Sequence, residues 1–564
     1  MSLGKPRSAV FAFADGYIDQ RAAIDPIRAT TSGVPGYDHL LPSFSQDRWD
    51  EEATFTTGVL AELDVIDASD DVDRIAVDVM RERLGSSLEV VTSGEAARRF
   101  SVLWSPISEI RQVFELMAVD TEEGADVVAE RLGAVPDAIR SWREGLEVLA
   151  ARGELPSLRH VIGVADQAET YARGAFAGVA SGAEGLARNG SALSAAGAAA
   201  DDACASLAAW MRSTLAPRAT ELDASGPDRY AIWCRAYLGD APALRDLYEW
   251  GWQDLRRINA RMWELAELLA PGADSLLEVA ERLDADDANC VFGVDEMLRR
   301  LEALTQTAIE QLDTRHFDID ERIRRCDVRE APAGSAAAPY YIEPSEDLSR
   351  PGTTWLPTLG MTRFPWWRHV STWYHEGVPG HHLELAGSRV NDRLSRFQRL
   401  DGWTSGYGEG WALYAERLME ELGFFDDAAV ELGYLTGQGL RAARIVVDLG
   451  LHLGFDAPPD LGELGGLGDC GGRPWTAQMA IALLDERALV EHEFSVSEVD
   501  RYLGNPAQAI SYKVGERTWL DVRAAARSRL GGSFDLKAFH RHALGLGPMG
   551  LAGFEREMAR WDGA

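Results

Sequence analysis

Apolar residues recur at helical spacing along most of the chain. In the clearest stretch, from about Pro242 to Ala270, apolar positions return every third or fourth residue, as on one face of an α-helix. Pro242 suits the first turn of a helix, and Pro271 with Gly272 ends the pattern. At ~1.5 Å per residue, the pattern predicts a helix roughly 40 Å long. The apolar face consists of Leu244, Tyr248, Gly251, Leu255, Ile258, Met262, Leu265 and Leu269.

Similar patterns predict further helices, whereas β-favouring segments are rare. Residues 338–343 and 353–358 favour strands, and the turn-rich residues between them indicate a hairpin or an edge strand. We therefore expect a mainly α fold with a small β edge element. We divide it into a helical N-terminal part, 1–330, and a metal-binding catalytic part, 331–564, which form one integrated globule because no long flexible linker separates them. The other predicted helices lie near 137–151, 191–216, 294–313, 408–422, 436–452 and 475–492.

Charge and cysteine content narrow the classes of function. The formal net charge is −34 over 564 residues, and such an acidic chain is a poor partner for nucleic acid or an anionic membrane. Five scattered cysteines without a C-x-x-C pair argue against a disulfide framework and favour a reducing compartment. The N-terminal apolar run is short and is broken by Asp15, and no apolar stretch is long enough to span a membrane. We expect a cytoplasmic protein, and the sequence leaves its oligomeric state open.

The most informative segment covers residues 364–385 and reads FPWWRHVSTWYHEGVPGHHLEL. Pro365 fits the first turn of a helix, and the aromatic residues after it fit a buried helix. His375 and Glu376 come late in this predicted helix. Because Pro379 lacks an amide hydrogen and clashes with the preceding turn, the helix should kink or end there.

His375, Glu376 and His381 have the residue types of a zinc site, but not the usual spacing. In H-E-x-x-H motifs two histidines one helical turn apart share the metal, whereas here Pro379 occupies the fifth position. Over six residues a straight helix rises ~9 Å, too far for both imidazoles to reach one ion. The Pro379-Gly380 break would solve this by folding the chain back, because glycine permits an unusual turn.

A third ligand is needed for a catalytic zinc site, and the segment YGEGWALYAE at residues 407–416 offers carboxylates. Glu409 and Glu416 are seven residues apart and lie on one face of the next predicted helix. We expect Glu409, in the first turn among glycines, to complete a site of two histidines and one glutamate with a position left for water. Glu416 is better placed to support a ligand or to form an ion pair.

Four segments together resemble the domain of unknown function 885 family: HEGVPGHHLEL, EGWALYAE, RAARIVVDLGLH and NPAQAISYKVG. The resemblance covers most of the chain and is strongest from about 340 to 530. It implies a zincin-like helical metallopeptidase architecture with a deep channel. The family pattern, close to H-E-x-x-P-G-H, maps onto His375, Glu376 and His381, so it favours His381 over the adjacent His382 as ligand.

Five further residues are candidates for supporting or substrate-binding roles. Asp448 and His452 lie four residues apart and either support the site or form a packed polar pair. Tyr512 and Lys513 lie in the family-like AISYKVG segment; Tyr512 is a candidate oxyanion donor, or alternatively a core residue with a satisfied hydroxyl. Arg350 either holds a substrate carboxylate or is a solvated loop charge.

These residues predict a zinc-dependent hydrolase, most simply a metallopeptidase acting on short peptides, with Glu376 as the general base on a metal-activated water. One alternative is a metal-dependent hydrolase of a non-peptide amide. Another is a helical binding protein that retains the motif without metal or catalysis. The sequence contains neither a glycine-rich phosphate loop nor G-x-S-x-G, so nucleotide-dependent and serine-hydrolase chemistry is disfavoured.

Overall fold

The structure, a computed structural model, describes residues 8–117, 119–331 and 338–563. In these residues the chain is mainly helical, with α-helices α1–α23 and five short strands, β1–β5. Helices α1–α12 are Ala9–Ile24, Pro26–Ser32, Gln46–Leu63, Asp71–Thr92, Pro106–Val113, Glu122–Arg152, Leu158–Tyr171, Ala175–Ala183, Gly190–Trp210, Gly226–Leu238, Leu244–Leu269 and Leu276–Ala285. Helices α13–α23 are Val294–Leu312, Val370–Glu376, Gly387–Val390, Arg396–Leu400, Ser405–Glu421, Ala428–Leu453, Ala477–Ala488, His492–Gly504, Ser511–Leu530, Leu536–Gly545 and Leu551–Arg560. Strands β1–β5 are Cys290–Phe292, Cys326–Glu330, Tyr340–Ile342, Gly352–Leu356 and Arg363–Pro365.

The chain forms two compact units. Unit 1 contains Met1–Asp73, Leu84–Asp223 and Ser345–Asp347, and unit 2 contains the remaining segments, Arg74–Arg83, Ala224–Pro344 and Leu348–Ala564. These units divide the chain differently from the predicted parts, 1–330 and 331–564, and that predicted division stays a prediction. All residues singled out for chemistry belong to unit 2.

Unit 1 is built around a helical core in which α6 and α9 pack against each other. Its interior includes Phe100 and Trp142, whose rings lie 5.2 Å apart, a separation typical of packed aromatic pairs. The helix predicted near 137–151 is the second half of α6, which begins at Glu122 and continues through Pro136. The prediction therefore placed the start of this helix too late.

Unit 2 contains the long helix that the apolar pattern predicted at 242–270. It is α11, and its apolar residues Leu255, Ile258 and Met262 are buried. This face packs against α18, which carries the segment RAARIVVDLGLH. The 3.6-residue period therefore predicted both the helix and the face that it buries.

Two small sheets lie in unit 2. β3 and β4 pair antiparallel, with Tyr341 opposite Thr354, as the predicted hairpin requires. β4 also pairs in parallel with β2, and β1 pairs antiparallel with β5. The predictions missed β1, β2 and β5, which are only three to five residues long, too short for alternation of apolar and polar residues to stand out in the sequence. The two sheets, α13 and α14 share an apolar cluster: Val291, Met297, Leu301, Leu356, Phe364 and Trp373.

The helix predicted to begin at Pro365 begins later. Pro365 ends β5, a short turn follows, and α14 begins at Val370. The prediction was wrong here because the pairing of β5 with β1 competes with helix formation, and proline is compatible with a strand end. The end of this helix was predicted correctly, since α14 stops at Glu376, just before the Pro379-Gly380 break.

Helices α17 and α21 approach each other closely where both carry glycine. A Cβ atom added to Gly410 would lie 2.5 Å from Cα of Gly515, and one added to Gly515 would lie 2.6 Å from Cα of Gly410. Neither helix can shift locally without moving its neighbour, because the contact joins backbone to backbone. This crossing sets the position of Glu409 on α17 and of Tyr512 on α21.

Across the described residues, no helix combines the length and apolarity that a membrane crossing requires. The five cysteines, all within the described segments, are unpaired.

Replacing Gly515 by alanine tests the crossing of α17 and α21. The added methyl group collides with the backbone of α17, and overpacking of this kind costs about 1–3 kcal/mol, so the melting temperature should fall. Gly133→Ala on α6 is the matched control, since a Cβ at Gly133 meets nothing within 4 Å and alanine favours helices by roughly 0.5–1 kcal/mol. Thermal unfolding of both variants provides the measurement. A Gly515→Ala protein as stable as the control would contradict the close helix approach.

Candidate metal centre

Two histidines of the HEGVPGHH segment lie side by side because the chain turns sharply between them. His375 is in the last turn of α14, and the turn is closed by a hydrogen bond from the amide of Gly380 to the carbonyl of Tyr374. A Cβ on Gly380 would lie 2.5 Å from that carbonyl oxygen, so the turn requires glycine. His381 follows directly, and its ring centroid lies 4.8 Å from that of His375. The predicted break is present and brings the two imidazoles together.

Glu409 completes a cluster with these histidines. Its Oε2 lies 3.3 Å from Nε2 of His375 and 3.4 Å from Nε2 of His381. The three residues are buried, and one ligand atom from each lies within 4.8 Å of the others. Ligand atoms at ~2.1 Å from a tetrahedral metal ion are separated by roughly 3.4 Å, so this donor set fits zinc. Among the described residues this is the group of potential ligands that converges on one point.

Glu416 supports His375 from the other side of the ring. Its Oε1 accepts a hydrogen bond from Nδ1 of His375 at 2.8 Å, and its Oε2 accepts one from the Ser371 hydroxyl. A carboxylate bound to Nδ1 fixes the imidazole so that Nε2 faces Glu409 and the centre of the cluster. Glu409 and Glu416 therefore contact the two nitrogens of one ring, as expected for residues seven apart on the same helix face. Glu409 lies in the second turn of α17, since this helix begins at Ser405 and not near residue 408.

The cluster carries strongly shifted pKa values. Burial alone would lower the pKa of His375, but hydrogen bonds to Glu409 and Glu416 raise it to about 9. Burial would likewise raise the pKa of Glu409, but the two histidines hold it well below its usual range. Burial opposes ionisation of Glu416 as well, and Arg441 followed by His375 lowers its pKa. The ionised carboxylates therefore stabilise positive charge at the centre of the cluster, where a cation would lie.

Glu376 is the next residue after His375 and is also buried. Burial raises its pKa, and the charges of His375 and His381 act in the opposite direction. A carboxylate with a raised pKa can take a proton from water and release it again near neutral pH. Its place next to the cluster agrees with the role of general base that the sequence predicted, which stays a prediction.

His382 faces away from the cluster. Its Nε2 donates to the carbonyl of Ile323 at 2.7 Å, and its Nδ1 accepts from the Tyr341 hydroxyl at 2.9 Å. Burial lowers the pKa of His382 to about 4, so the ring is neutral. Because both nitrogens have partners in the fold, His381 is the better candidate for ligand.

Tyr512 lies beside the cluster on α21. Its ring stacks along that of His375, with centroids 6.1 Å apart and an angle of 18° between the planes. Burial, followed by the charge of Glu409, raises the pKa of Tyr512 to about 12. The phenol therefore keeps its proton at neutral pH and can donate a hydrogen bond.

Asp448 and His452 form a packed polar pair further along α18. Asp448 accepts from the Tyr230 hydroxyl at 2.5 Å and from the amide of Ala507 at 3.1 Å. His452 contacts the amide of Ser225 through Nδ1 and the carbonyl of Tyr502 through Nε2. These partners lie outside the His375–Glu409 cluster. The contacts are those expected of a packed polar pair.

Lys513 and Arg350 also have partners outside the cluster. Nζ of Lys513 is buried and contacts Gln438, Glu516 and Asp254 at 2.5, 2.7 and 3.0 Å, so it joins α18, α21 and α11. Arg350 donates to the carbonyl of Glu343 at 3.5 Å. A substrate-binding role for either residue stays a prediction.

Three residues next to the cluster were not predicted from the sequence: Ser371, Arg441 and Arg444. Ser371 and Arg441 contact Glu416, and Arg444 lies against the ring of Tyr512. Ser371 is an ordinary helix residue with no signal of its own. The two arginines could have been noticed, because they lie three apart within an otherwise apolar helical segment, and an arginine on a buried helix face needs a specific partner.

A family model described as "Bacterial protein of unknown function (DUF885)" matches residues 26–558. The chain belongs to this family. The resemblance inferred from the four sequence segments is therefore confirmed. No curated protein matches the chain.

Two solved structures share the fold. One is described as a "putative lipoprotein" from Colwellia psychrerythraea. It has a TM-score of 0.84 at 20% sequence identity, and the superposition covers 98% of each chain. Another, a "putative lipoprotein of unknown function" from Shewanella oneidensis, has a TM-score of 0.72 at 19% identity, over 98% of this chain and 100% of the other. These similarities show that members of this fold share a mainly helical architecture.

Exchanging each histidine in turn tests which one is the ligand. His381→Ala should lose most of the zinc from the purified protein, because an imidazole is removed from the cluster. His382→Ala should keep the zinc but lose about 1–3 kcal/mol of stability, since it leaves the buried Ile323 carbonyl and Tyr341 hydroxyl without a partner. Zinc per chain after dialysis and thermal unfolding separate the two effects. If His382→Ala empties the site and His381→Ala does not, the assignment is wrong.

Proposed function

We propose that the protein is a zinc-dependent hydrolase of the metallopeptidase type that cleaves short peptides. The observation that carries the proposal is the convergence of His375, His381 and Glu409 within 4.8 Å, with Glu376 adjacent in the chain. Three ligands with an open fourth position are characteristic of catalytic rather than structural zinc. The zincin-like architecture with a deep channel belongs to the same proposal.

His375, His381 and Glu409 would hold the ion. When bound, zinc supplies a Lewis acid that makes water a better nucleophile and polarises a carbonyl group. Glu416 and Ser371 keep the imidazole of His375 in the required orientation through the hydrogen bond at Nδ1. The buried carboxylate of Glu376 takes the proton from the attacking water and passes it to the leaving amine, for which its raised pKa is suited.

Tyr512 is proposed to donate its phenolic hydrogen to the oxygen that becomes negative during attack on the carbonyl. Its stacking on His375 places the ring next to the ligand set, and its pKa of about 12 keeps the donor protonated. Donors fixed before the reaction stabilise developing charge because they do not have to reorient.

Short peptides are the favoured substrate class because the ligands are buried. His375 is 2% exposed and His381 is 8% exposed. A folded protein cannot bring a peptide bond to such a site without unfolding, whereas a short peptide can enter it.

A peptide library tested with the zinc-loaded protein separates this proposal from hydrolysis of a non-peptide amide, and metal analysis separates it from a non-catalytic binding protein.

The cytoplasm is the proposed location. The unpaired cysteines support a reducing compartment. The two similar structures are described as lipoproteins, which instead suggests attachment to a membrane. Fractionation of cells that produce the protein would distinguish the two locations.

Glu376→Gln tests the general base. Glutamine has nearly the same shape but cannot accept a proton, so turnover should fall by about 10²–10⁴-fold while zinc content and melting temperature stay unchanged. The matched control is Glu421→Gln at the end of α17, where the carboxylate is 37% exposed and pairs with Arg523. Peptide hydrolysis rates per zinc-loaded molecule are measured. Near-normal turnover by the Glu376→Gln protein would rule out this mechanism.

Tyr512→Phe tests the oxyanion donor. Loss of one such hydrogen bond should lower kcat by about 10²–10³-fold with little change in KM or zinc content. Tyr230→Phe serves as the control, because the Tyr230 hydroxyl bonds to Asp448 and not to the cluster, so this variant should lose stability but keep its kcat. If Tyr512→Phe behaves as the control does, Tyr512 is a packing residue.

A further inference from the structure

Two arginines on α18 lie next to the candidate metal centre. Arg441 and Arg444 are three residues apart and share one helix face. Their guanidinium carbons lie 5.7 and 4.6 Å from the ring centroid of Tyr512, which itself stacks on His375. Positive charge is thus concentrated beside the ligand set of a chain whose net charge is −34.

Arg444 is firmly held, but its charge is only partly compensated. Its Nη2 and Nε contact Oε2 of Glu498 at 2.6 and 3.1 Å, and Arg501 contacts the same oxygen at 2.8 Å. Two guanidinium groups on one carboxylate leave a net positive charge. Nη1 of Arg444 is buried and has no hydrogen-bond partner.

Arg441 has even fewer partners. Its Nε is also buried without a hydrogen bond, and its closest ion pair, to Oε1 of Glu416, is long at 3.9 Å. The side chain is only 11% exposed, so water does not fully solvate it. Buried donors are nearly always satisfied, and the exceptions need an explanation. Two guanidinium groups on one face, each with a buried donor atom that has no partner, are explained by an anionic ligand that both can contact.

We propose, building on the function proposed above, that Arg441, assisted by Arg444, binds the free C-terminal carboxylate of the peptide substrate. A guanidinium group offers two parallel N–H donors that match the two oxygens of a carboxylate. Arg441 is separated from His375 by the single side chain of Glu416, so the bound carboxylate lies close to the cleaved bond. The protein is then an exopeptidase that removes residues from the C-terminus, and Arg441 has the role that the sequence suggested for Arg350.

Two peptides that differ only at the C-terminus test whether the carboxylate is recognised. One is a short peptide with a blocked N-terminus and a free C-terminal carboxylate, and the other is the same peptide with a C-terminal amide. The zinc-loaded full-length protein should cleave the acid about 10²-fold more efficiently in kcat/KM, since loss of one partner of a buried charge pair has effects of this size. Equal cleavage of acid and amide by the wild-type protein would overturn the proposal and leave the metallopeptidase function intact.

Variants of Arg441 test which residue provides this preference. Arg441→Met removes the donors but keeps an unbranched side chain, and it should abolish the preference for the acid over the amide, whatever its effect on the rate common to both substrates. Arg441→Lys keeps the charge beside Glu416 but not the paired donors, and it should retain zinc and reduce the preference about 10-fold. Arg261→Met is the control, because Arg261 is 46% exposed and pairs with Glu431 at the surface of α18.

Binding measurements keep the proposal testable if no peptide is cleaved. In that case the metallopeptidase function fails, and calorimetry with the same acid and amide tests the arginines directly. Selective binding of the acid that falls about 10-fold in Arg441→Lys supports the carboxylate site. Equal binding of both peptides by the wild-type protein, no binding, or a preference that is undiminished in Arg441→Lys overturns it. If Arg441→Met loses zinc or does not fold, the lysine variant decides.

Discussion

The close approach of α17 and α21 is the constraint on which the site depends. Gly410 and Gly515 bring the two backbones into contact, and no larger residue fits there. Glu409 precedes one of these glycines, and Tyr512 lies one helical turn before the other. The crossing therefore fixes both residues on rigid helices relative to each other. In the proposed function, a ligand and a donor held in this way would not have to be ordered when substrate binds, which would lower the entropic cost of reaching a productive geometry.

Buried charge is the second requirement, and it is distributed over three helices. His375 on α14 contacts Glu409 and Glu416 on α17, and Arg441 on α18 lies 3.9 Å from Glu416. A single buried carboxylate would be protonated or would destabilise the fold, whereas alternating charges lower the cost of removing each one from water. The same arrangement that stabilises this interior holds His375 in the orientation that the proposed metal site requires. The stability of the fold and the chemistry of the site therefore depend on the same contacts.

The sequence predicted those features that depend on local chain geometry. The apolar face of α11 was predicted because packing follows helical periodicity, and the turn at Pro379-Gly380 was predicted because proline cannot continue a helix. The strand β5 at Pro365 was missed, because its partner β1 lies some 70 residues earlier in the chain. Spacing alone also could not choose between His381 and His382. That choice depends on Tyr341 and Ile323, which occupy both nitrogens of His382 from distant segments.

Substrate recognition is subject to opposing electrostatic effects at different ranges. A net charge of −34 repels an anionic peptide at long distance, although salt screens exposed charges beyond about 8–10 Å under physiological conditions. Arg444 is buried and Arg441 is only 11% exposed beside the His375–Glu409 cluster, where screening is weak and a carboxylate can form direct hydrogen bonds. In the proposed function, attraction for an anion is therefore a contact effect confined to the site and not a property of the surface. Such an arrangement would select peptides by the position of their terminal charge relative to the cleaved bond, since only an anion that reaches both arginines would overcome the cost of leaving water.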